Sequence, residues 1–278
     1  MASAPSDGRL LAFLYGTALG RLLLKPMTAP GLSRLAGRWM DSRSSRCLIA
    51  PFVKRNGIDL SDYEPAEYAS FNAFFTRRIR PEARPLDSAP DHLTAPCDGR
   101  LSVYAIDENS VFTIKHSRYD VPALLGGDAR GAQFRGGVCL VFRLAVDDYH
   151  RYHYLDDGSK GENHFVPGVL HTVRPIALEH TDVFVQNCRE YTFLNTAHFG
   201  MAAQIEVGAL LVGRISNRHG AGTFRRGEEK GCFLYGGSTV VLLLQAGAAR
   251  VQERFWQATA RNEEIRVRLG ECIGSAGE

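Results

Sequence analysis

The chain predicts an α+β fold: a helical N-terminal region over residues 1–80, then a β-rich domain over 81–278. Three observations carry this. Apolar residues recur at near-helical spacing only ahead of Arg80, whereas from Pro96 onward short apolar or alternating runs are broken by glycines. The chain has 278 residues, 45% of them hydrophobic, enough to bury a real core as one large domain or a domain with an appendage.

The first element runs from Leu10 to Leu24, flanked by Arg9 and Lys25 and stopped by Pro26. It falls short of the roughly 20 apolar residues a spanning helix needs, and Arg21 interrupts it. A helical wheel gathers Gly16, Thr17, Gly20 and Arg21 on one narrow face. Leu32, Leu35, Trp39 and Met40 follow near helical spacing, with Arg34 and Arg38 between them. Residues 1–55 hold nine Lys and Arg against two acidic residues, and the rest of the chain holds 24 against 28. Basic amphipathic segments of this kind lie on anionic bilayers; the same pattern also suits a helix pair packed on the protein's own core. No clear small-residue site follows Pro26, which argues against a secretory signal, while the arginine-rich, acid-poor composition leaves a mitochondrial presequence open. Pro65–Arg78 completes the helical part.

Strands are expected at Gly137–Val146, Val166–Val173, Gln204–Ile215 and Thr239–Gln245. Within the third, Ile205, Val207, Ala209 and Leu211 face one way and Glu206 and Gly208 the other. Six cysteines without C-x-x-C spacing argue against a zinc site and for reduced thiols, so no metal is expected. The net charge of +3 is unremarkable, and no nucleic-acid partner is expected.

The most informative stretch is Arg226-Gly227-Glu228-Glu229-Lys230-Gly231-Cys232-Phe233, followed by Gly236-Gly237-Ser238-Thr239 and the apolar run Val240–Leu244. Taken alone, this is a tight glycine turn into a buried strand, with Glu228, Glu229 and Lys230 on a charged surface. Other segments accompany it: Tyr68–Arg78 with Arg80-Pro81 and Arg84-Pro85, Pro96-Cys97-Asp98-Gly99, Asp148-Tyr149-His150-Arg151-Tyr152-His153, Lys115 through Gly126, and Gln204 through Gly213. Together and in this order, over residues 35 to 270, they resemble the phosphatidylserine decarboxylase proenzymes, a family of pyruvoyl-dependent lipid decarboxylases.

The resemblance implies a β-rich core folded as a barrel-like sandwich. It also implies self-cleavage between Gly237 and Ser238 into a β chain (1–237) and an α chain (238–278) that stay associated, with Ser238 becoming the pyruvoyl cofactor. Asp98 and His153 match the positions that would activate Ser238, a Ser-His-Asp arrangement acting on its own chain. His150 would serve decarboxylation, as the acid that protonates the carbanion. The spacing of His150 and His153 puts them on one face of a helix but on opposite faces of a strand. The implied substrate is phosphatidylserine, converted to phosphatidylethanolamine and carbon dioxide. The implied location is peripheral on a membrane, the cytoplasmic face of the cell membrane in a bacterium, with a mitochondrial membrane and a homodimer left open. Arg77-Arg78 suits either a phosphate headgroup or a helix C-terminus. The rival readings are a serine hydrolase using Ser238, His153 and Asp98, against which the G-x-S-x-G elbow is absent, and a processing-dead lipid-binding module.

Overall fold

The computed structural model describes residues 8–114, 117–210, 214–235 and 238–277. Gly236 and Gly237, the expected cleavage turn, lie outside them, as do Lys115 and Leu211–Gly213.

The apolar N-terminal run forms two helices, α1 (Arg9–Gly16) and α2 (Ala18–Met27), bent by 103° at Thr17. Thr17 is extended and its hydroxyl accepts from the Gly20 amide at 2.9 Å, so it ends one helix and caps the next. Gly20 permits the hairpin: a Cβ there would stand 2.1 Å from the Phe13 carbonyl oxygen. No single helix among the described residues is long and apolar enough to cross a membrane. Both readings of the amphipathic pattern hold in part. Leu14, Tyr15 and Leu24 are buried in the protein's own core, whereas Leu19, Leu22, Leu35 and Trp39 are exposed. Three further helices follow: α3 (Pro30–Met40), α4 (Ile49–Asn56) and the short α5 (Phe71–Phe75). The expected Pro65–Arg78 helix is therefore only the five residues of α5, capped by Ser70, whose hydroxyl accepts from Ala73 N at 3.1 Å. Helix also recurs late, at Glu253–Ala260.

The strands, in chain order, are β1 (His92–Thr94), β2 (Gly99–Ala105), β3 (Val111–Ile114), β4 (Ser117–Asp120), β5 (Val138–Leu144), β6 (Arg151–His153), β7 (Gly158–Lys160), β8 (His164–Val166), β9 (Arg189–Thr196), β10 (Met201–Val207), β11 (Ile215–Asn217), β12 (Gly222–Phe224), β13 (Glu229–Phe233), β14 (Ser238–Leu244), β15 (Ala249–Val251), β16 (Ile265–Val267) and β17 (Cys272–Ala276). A nine-stranded sheet runs β12-β7-β9-β10-β14-β5-β2-β16, with β8 beside β9, and smaller sheets are β11-β13-β6, β1-β17-β15 and β3-β4. The large sheet has two distinct ends, β12 and β16, so the expected barrel does not close: the domain is β-rich but open. Val166–Val173 is also not a strand beyond Val166.

Strand β14 lies between β10 and β5 and is buried on both faces. Val241 and Leu243 join one core with Ile205, Val207 and Phe193; Val240, Leu242 and Leu244 join the other with Leu140, Phe142 and Leu101. Two cores explain why Val240–Leu244 is continuously apolar rather than alternating. Glu206 faces the second core rather than solvent, and there it meets Lys230, so the charged-surface reading of Lys230 is overturned. Both side chains are fully buried, with Lys230 Nζ 2.8 Å from each Glu206 carboxylate oxygen and 3.0 Å from Asn217 Oδ1. Burial pushes the Glu206 carboxyl up, and the Lys230 charge opposes that push.

Removing one member of such a pair strands the other charge in the core. Lys230→Ala should lower unfolding stability by about 3 to 5 kcal/mol, read as a shift in denaturant midpoint. A surface lysine would give a change near zero.

Candidate functional site

The site forms where the head of β14 meets the end of β5. Ser238 pairs with Leu144, the last residue of β5. The chain then turns back sharply, held by Asp148, whose carboxylate accepts from Ala145 N at 2.7 Å and is paired with Arg100 and Arg266. That turn returns the backbone at His150, and the Phe233 amide donates to the His150 carbonyl at 2.9 Å. The result places His150 Nδ1 3.4 Å from Ser238 Oγ, a long hydrogen bond between two side chains with no solvent exposure.

Helix α5 covers this pair. The Phe75 ring stacks on the His150 imidazole with centroids 4.0 Å apart, and Phe71 and Tyr235 pack edge-on at 4.9 Å. Asn72 ties the cover to the segment before Ser238: its Oδ1 accepts from Tyr235 N at 3.0 Å while its amide donates to Asp41 at 2.8 Å. Burial and the nearby Arg77 charge push the His150 pKa down to about 3, so the imidazole is neutral at physiological pH. A neutral ring is the form that accepts a proton from a hydroxyl.

His153 lies on the other side of β6, as strand spacing requires. Its Nδ1 is 2.8 Å from the Gly227 carbonyl oxygen, which only accepts, so Nδ1 carries the hydrogen. Its Nε2 then presents a lone pair, buried and without a hydrogen-bond partner among the described residues. Burial lowers its pKa as well. Asp98 is also buried, but its carboxylate is taken by Arg84, at 2.9 Å from Nε and 2.6 Å from Nη2, and by the Leu269 amide at 2.8 Å. The expected Ser238–His153–Asp98 relay is therefore not hydrogen-bonded through in this geometry. The structure brings Ser238 to His150, and gives His153 and Asp98 other partners.

Phe75, Asn72 and Arg84 line the site without being singled out by the sequence, whereas Arg77 is, as a headgroup or helix-terminus residue. All lie inside the N-terminal signature, but nothing in their types announces a stacking ring or an aspartate clamp. Elsewhere, Asp87, His92 and Cys272 bring side-chain atoms within 4.8 Å of one another, and the 2.9 Å bond from His92 to Asp87 accounts for much of that closeness.

Comparison with known proteins points the same way as the geometry. The phosphatidylserine decarboxylase family model matches residues 71–275. The chain is 42% identical over 269 residues to a phosphatidylserine decarboxylase proenzyme 2 of Clostridium acetobutylicum, covering 96% of this chain and 92% of that one. It is 36% identical to a phosphatidylserine decarboxylase proenzyme of Ruminiclostridium cellulolyticum (97% and 92%) and 35% identical to one of Clostridium perfringens (94% and 91%).

The buried histidines make a pH prediction. The unfolded chain protonates His150 near its ordinary value of 6.5, whereas the folded chain resists until about 3. In that window the unfolded state binds more protons, so stability falls as pH falls. A Ser238→Ala protein should lose stability progressively from pH 6.5 toward 3, and adding His150→Asn should flatten the slope. Urea titrations at several pH values measure this; equal slopes would mean His150 is not held neutral.

Proposed function

The chain belongs to the phosphatidylserine decarboxylase family, and from that membership we propose that it matures by cutting itself ahead of Ser238 and makes its pyruvoyl cofactor from that serine. The activity is the decarboxylation of phosphatidylserine. The observation that supports the maturation reading is the placement of Ser238, fully buried at the head of β14 and directly after Gly236-Gly237 in the sequence, beneath an aromatic cover that closes the site to water.

Serine attacks poorly unless a base takes its proton. Once deprotonated, Ser238 Oγ adds to the Gly237 carbonyl carbon, and the acyl group passes from nitrogen to oxygen to give an ester. Loss of the Ser238 α-proton then expels the Gly237 carboxylate and leaves dehydroalanine, which takes up water and releases ammonia. The pyruvoyl group so formed supplies an electron-accepting carbonyl for the pair left when carbon dioxide departs. The surroundings of Ser238 fit such a group: Phe71, Phe75 and Tyr235 exclude water, and an imidazole stands beside the reacting residue.

We assign His153, with Asp98 near it, to activation of Ser238. Its Nε2 lone pair is in the right tautomer and has no competing donor among the described residues. His150, in contact with Ser238, is assigned the return of a proton to the substrate carbon; being neutral at rest, it must first take up that proton, which the substrate ammonium group can supply. A second reading, favoured by the Ser238–His150 contact, gives the cleavage step to His150 instead. The domains follow these duties: residues 1–80 form the membrane-facing and covering layer, and 81–278 the catalytic unit. Peripheral attachment is supported by exposed Leu10, Leu19, Leu22, Leu23, Leu35 and Trp39 alongside Lys25, Arg34 and Arg38.

Denaturing intact-mass measurement tests maturation: purified protein should give two species parting at Gly237/Ser238, the smaller one reactive to a carbonyl reagent. A stable single chain would sink it. His153→Ala should stay uncut, while His150→Ala should cut yet lose decarboxylation by more than about 100-fold; the reverse pattern would move the base to His150. For the membrane face, Leu22→Glu with Leu35→Glu should cut normally but sediment with anionic vesicles at least about tenfold more weakly. Unchanged sedimentation would remove this face from membrane binding.

A further inference from the structure

Arg77 lies two residues past the end of α5 with 2% exposure, yet among the described residues it has no carboxylate partner of the kind a buried guanidinium normally requires. Its Nη2 donates to Tyr63 Oη at 3.0 Å, but Nε and Nη1 have no hydrogen-bond partner among the described residues. The guanidinium carbon lies 4.1 Å from the centroid of the Tyr63 ring and 4.9 Å from that of Phe74. Aromatic faces hold the charge and fix its plane without using up its donors.

The other deeply buried arginines are treated differently. Arg84 is clamped on Asp98 and Asp62. Arg151 is bonded to Glu229 and the Thr76 carbonyl. Arg189 spends all three guanidinium nitrogens on the carbonyls of Leu124, Ala123, Val185 and Asn187. Arg77 alone among these four keeps open donors, and it sits two residues from Phe75, the ring stacked on His150. His150 Nε2, on the ring that meets Ser238, is likewise without a hydrogen-bond partner among the described residues.

We infer that Arg77 is the receptor for the phosphodiester of the lipid headgroup, an assignment that rests on the decarboxylase reading above. The substrate also carries a carboxylate, but that group departs as neutral carbon dioxide. A guanidinium holding it would stabilise the ground state and oppose its loss. The phosphodiester keeps its charge from substrate to product, so a fixed cation binds it equally throughout. Guanidinium geometry suits phosphate oxygens better than an ammonium does. Because Arg77 is covered in this geometry, α5 and its aromatic neighbours must part to admit the headgroup. The Arg77 charge also acts on His150, so the same residue that binds the headgroup helps to keep that imidazole neutral.

The test compares wild type, Arg77→Gln, Arg77→Lys and Tyr63→Phe in three readouts: self-cleavage by intact mass, kcat and KM on phosphatidylserine in mixed micelles, and inhibition by glycerophosphoethanolamine against ethanolamine. Arg77→Gln should cut as wild type does and keep kcat within a few-fold. Its KM should rise about 10- to 100-fold, and it should lose the preference for the phosphodiester inhibitor, with Arg77→Lys recovering part of both. Tyr63→Phe, which only unfastens Nη2, should raise KM a few-fold. It carries the test if Arg77→Gln fails to fold or to cut. A cut Arg77→Gln enzyme with wild-type KM and wild-type inhibitor preference overturns the proposal. So does a fall in kcat with KM unchanged, which would place Arg77 on the departing carboxylate. If wild type itself neither cuts nor decarboxylates, it is the underlying reading that fails.

Discussion

Ser238 opens a strand that is hydrogen-bonded along both edges and buried on both faces, and the site is organised around that constraint. From Ser238 to Leu244 every residue of β14 pairs with β5, and six of its seven positions pair with β10. Such a strand has no freedom to shift register without carrying apolar side chains into the wrong core. Ser238 therefore occupies a defined point at the head of a strand paired along both edges. Any adjustment around Ser238 has to come from its neighbours: the loop that returns His150, strand β6 that carries His153 beside β13, and the aromatic cover of α5.

Those neighbours are pinned by polar contacts whose purpose is positional. Asp148 closes the turn after β5, Asn72 holds the Tyr235 amide, Arg151 joins the end of α5 to Glu229 on β13, and Lys230 anchors β13 through Glu206 to the main sheet. The low dielectric that makes these bonds strong also keeps His150 neutral. One environment thus serves two needs, holding geometry and setting protonation. It does so without a direct relay from Asp98, whose carboxylate is committed to Arg84.

Much of this was legible in the sequence, and the failures have physical causes. Val240–Leu244 reads as a doubly buried strand because no polar residue interrupts it, and so it is. The N-terminal leucines read as amphipathic helices, and the break at Thr17 follows from a capping hydroxyl and the close approach at Gly20. Lys230 misled because charge beside two glutamates suggests solvent, whereas its partner is 24 residues away in sequence, on β10. Pro65–Arg78 looked helical throughout, but tertiary bonds such as Phe71 N to Ser45 Oγ and the Arg80 amide to the Asp62 carbonyl hold the flanks extended. The barrel came from resemblance, and the strand order shows two ends where closure would need none. At the site, sequence spacing put His150 and His153 on one face of a helix or on opposite faces of a strand, and the resemblance paired Ser238 with His153, whereas the contact is with His150. That choice depends on the turn after Leu144, a three-dimensional fact.

The same strand order bears on what a cut ahead of Ser238 would do. Residues beyond it supply β14 at the middle of the large sheet, β16 at its edge against β2, and β15 and β17, with β17 also paired to β1. Pulling the short chain away would break both ladders of β14 and expose apolar faces from both cores at once. No disulfide is needed to prevent that, and the cysteines are free. What cleavage would release is only the covalent tie between Ser238 and the segment that Asn72 holds through Tyr235. A cut there would fall between a strand paired along both edges and a cover tied to it through Asn72 and Tyr235, and would leave in place the ladders that position Ser238.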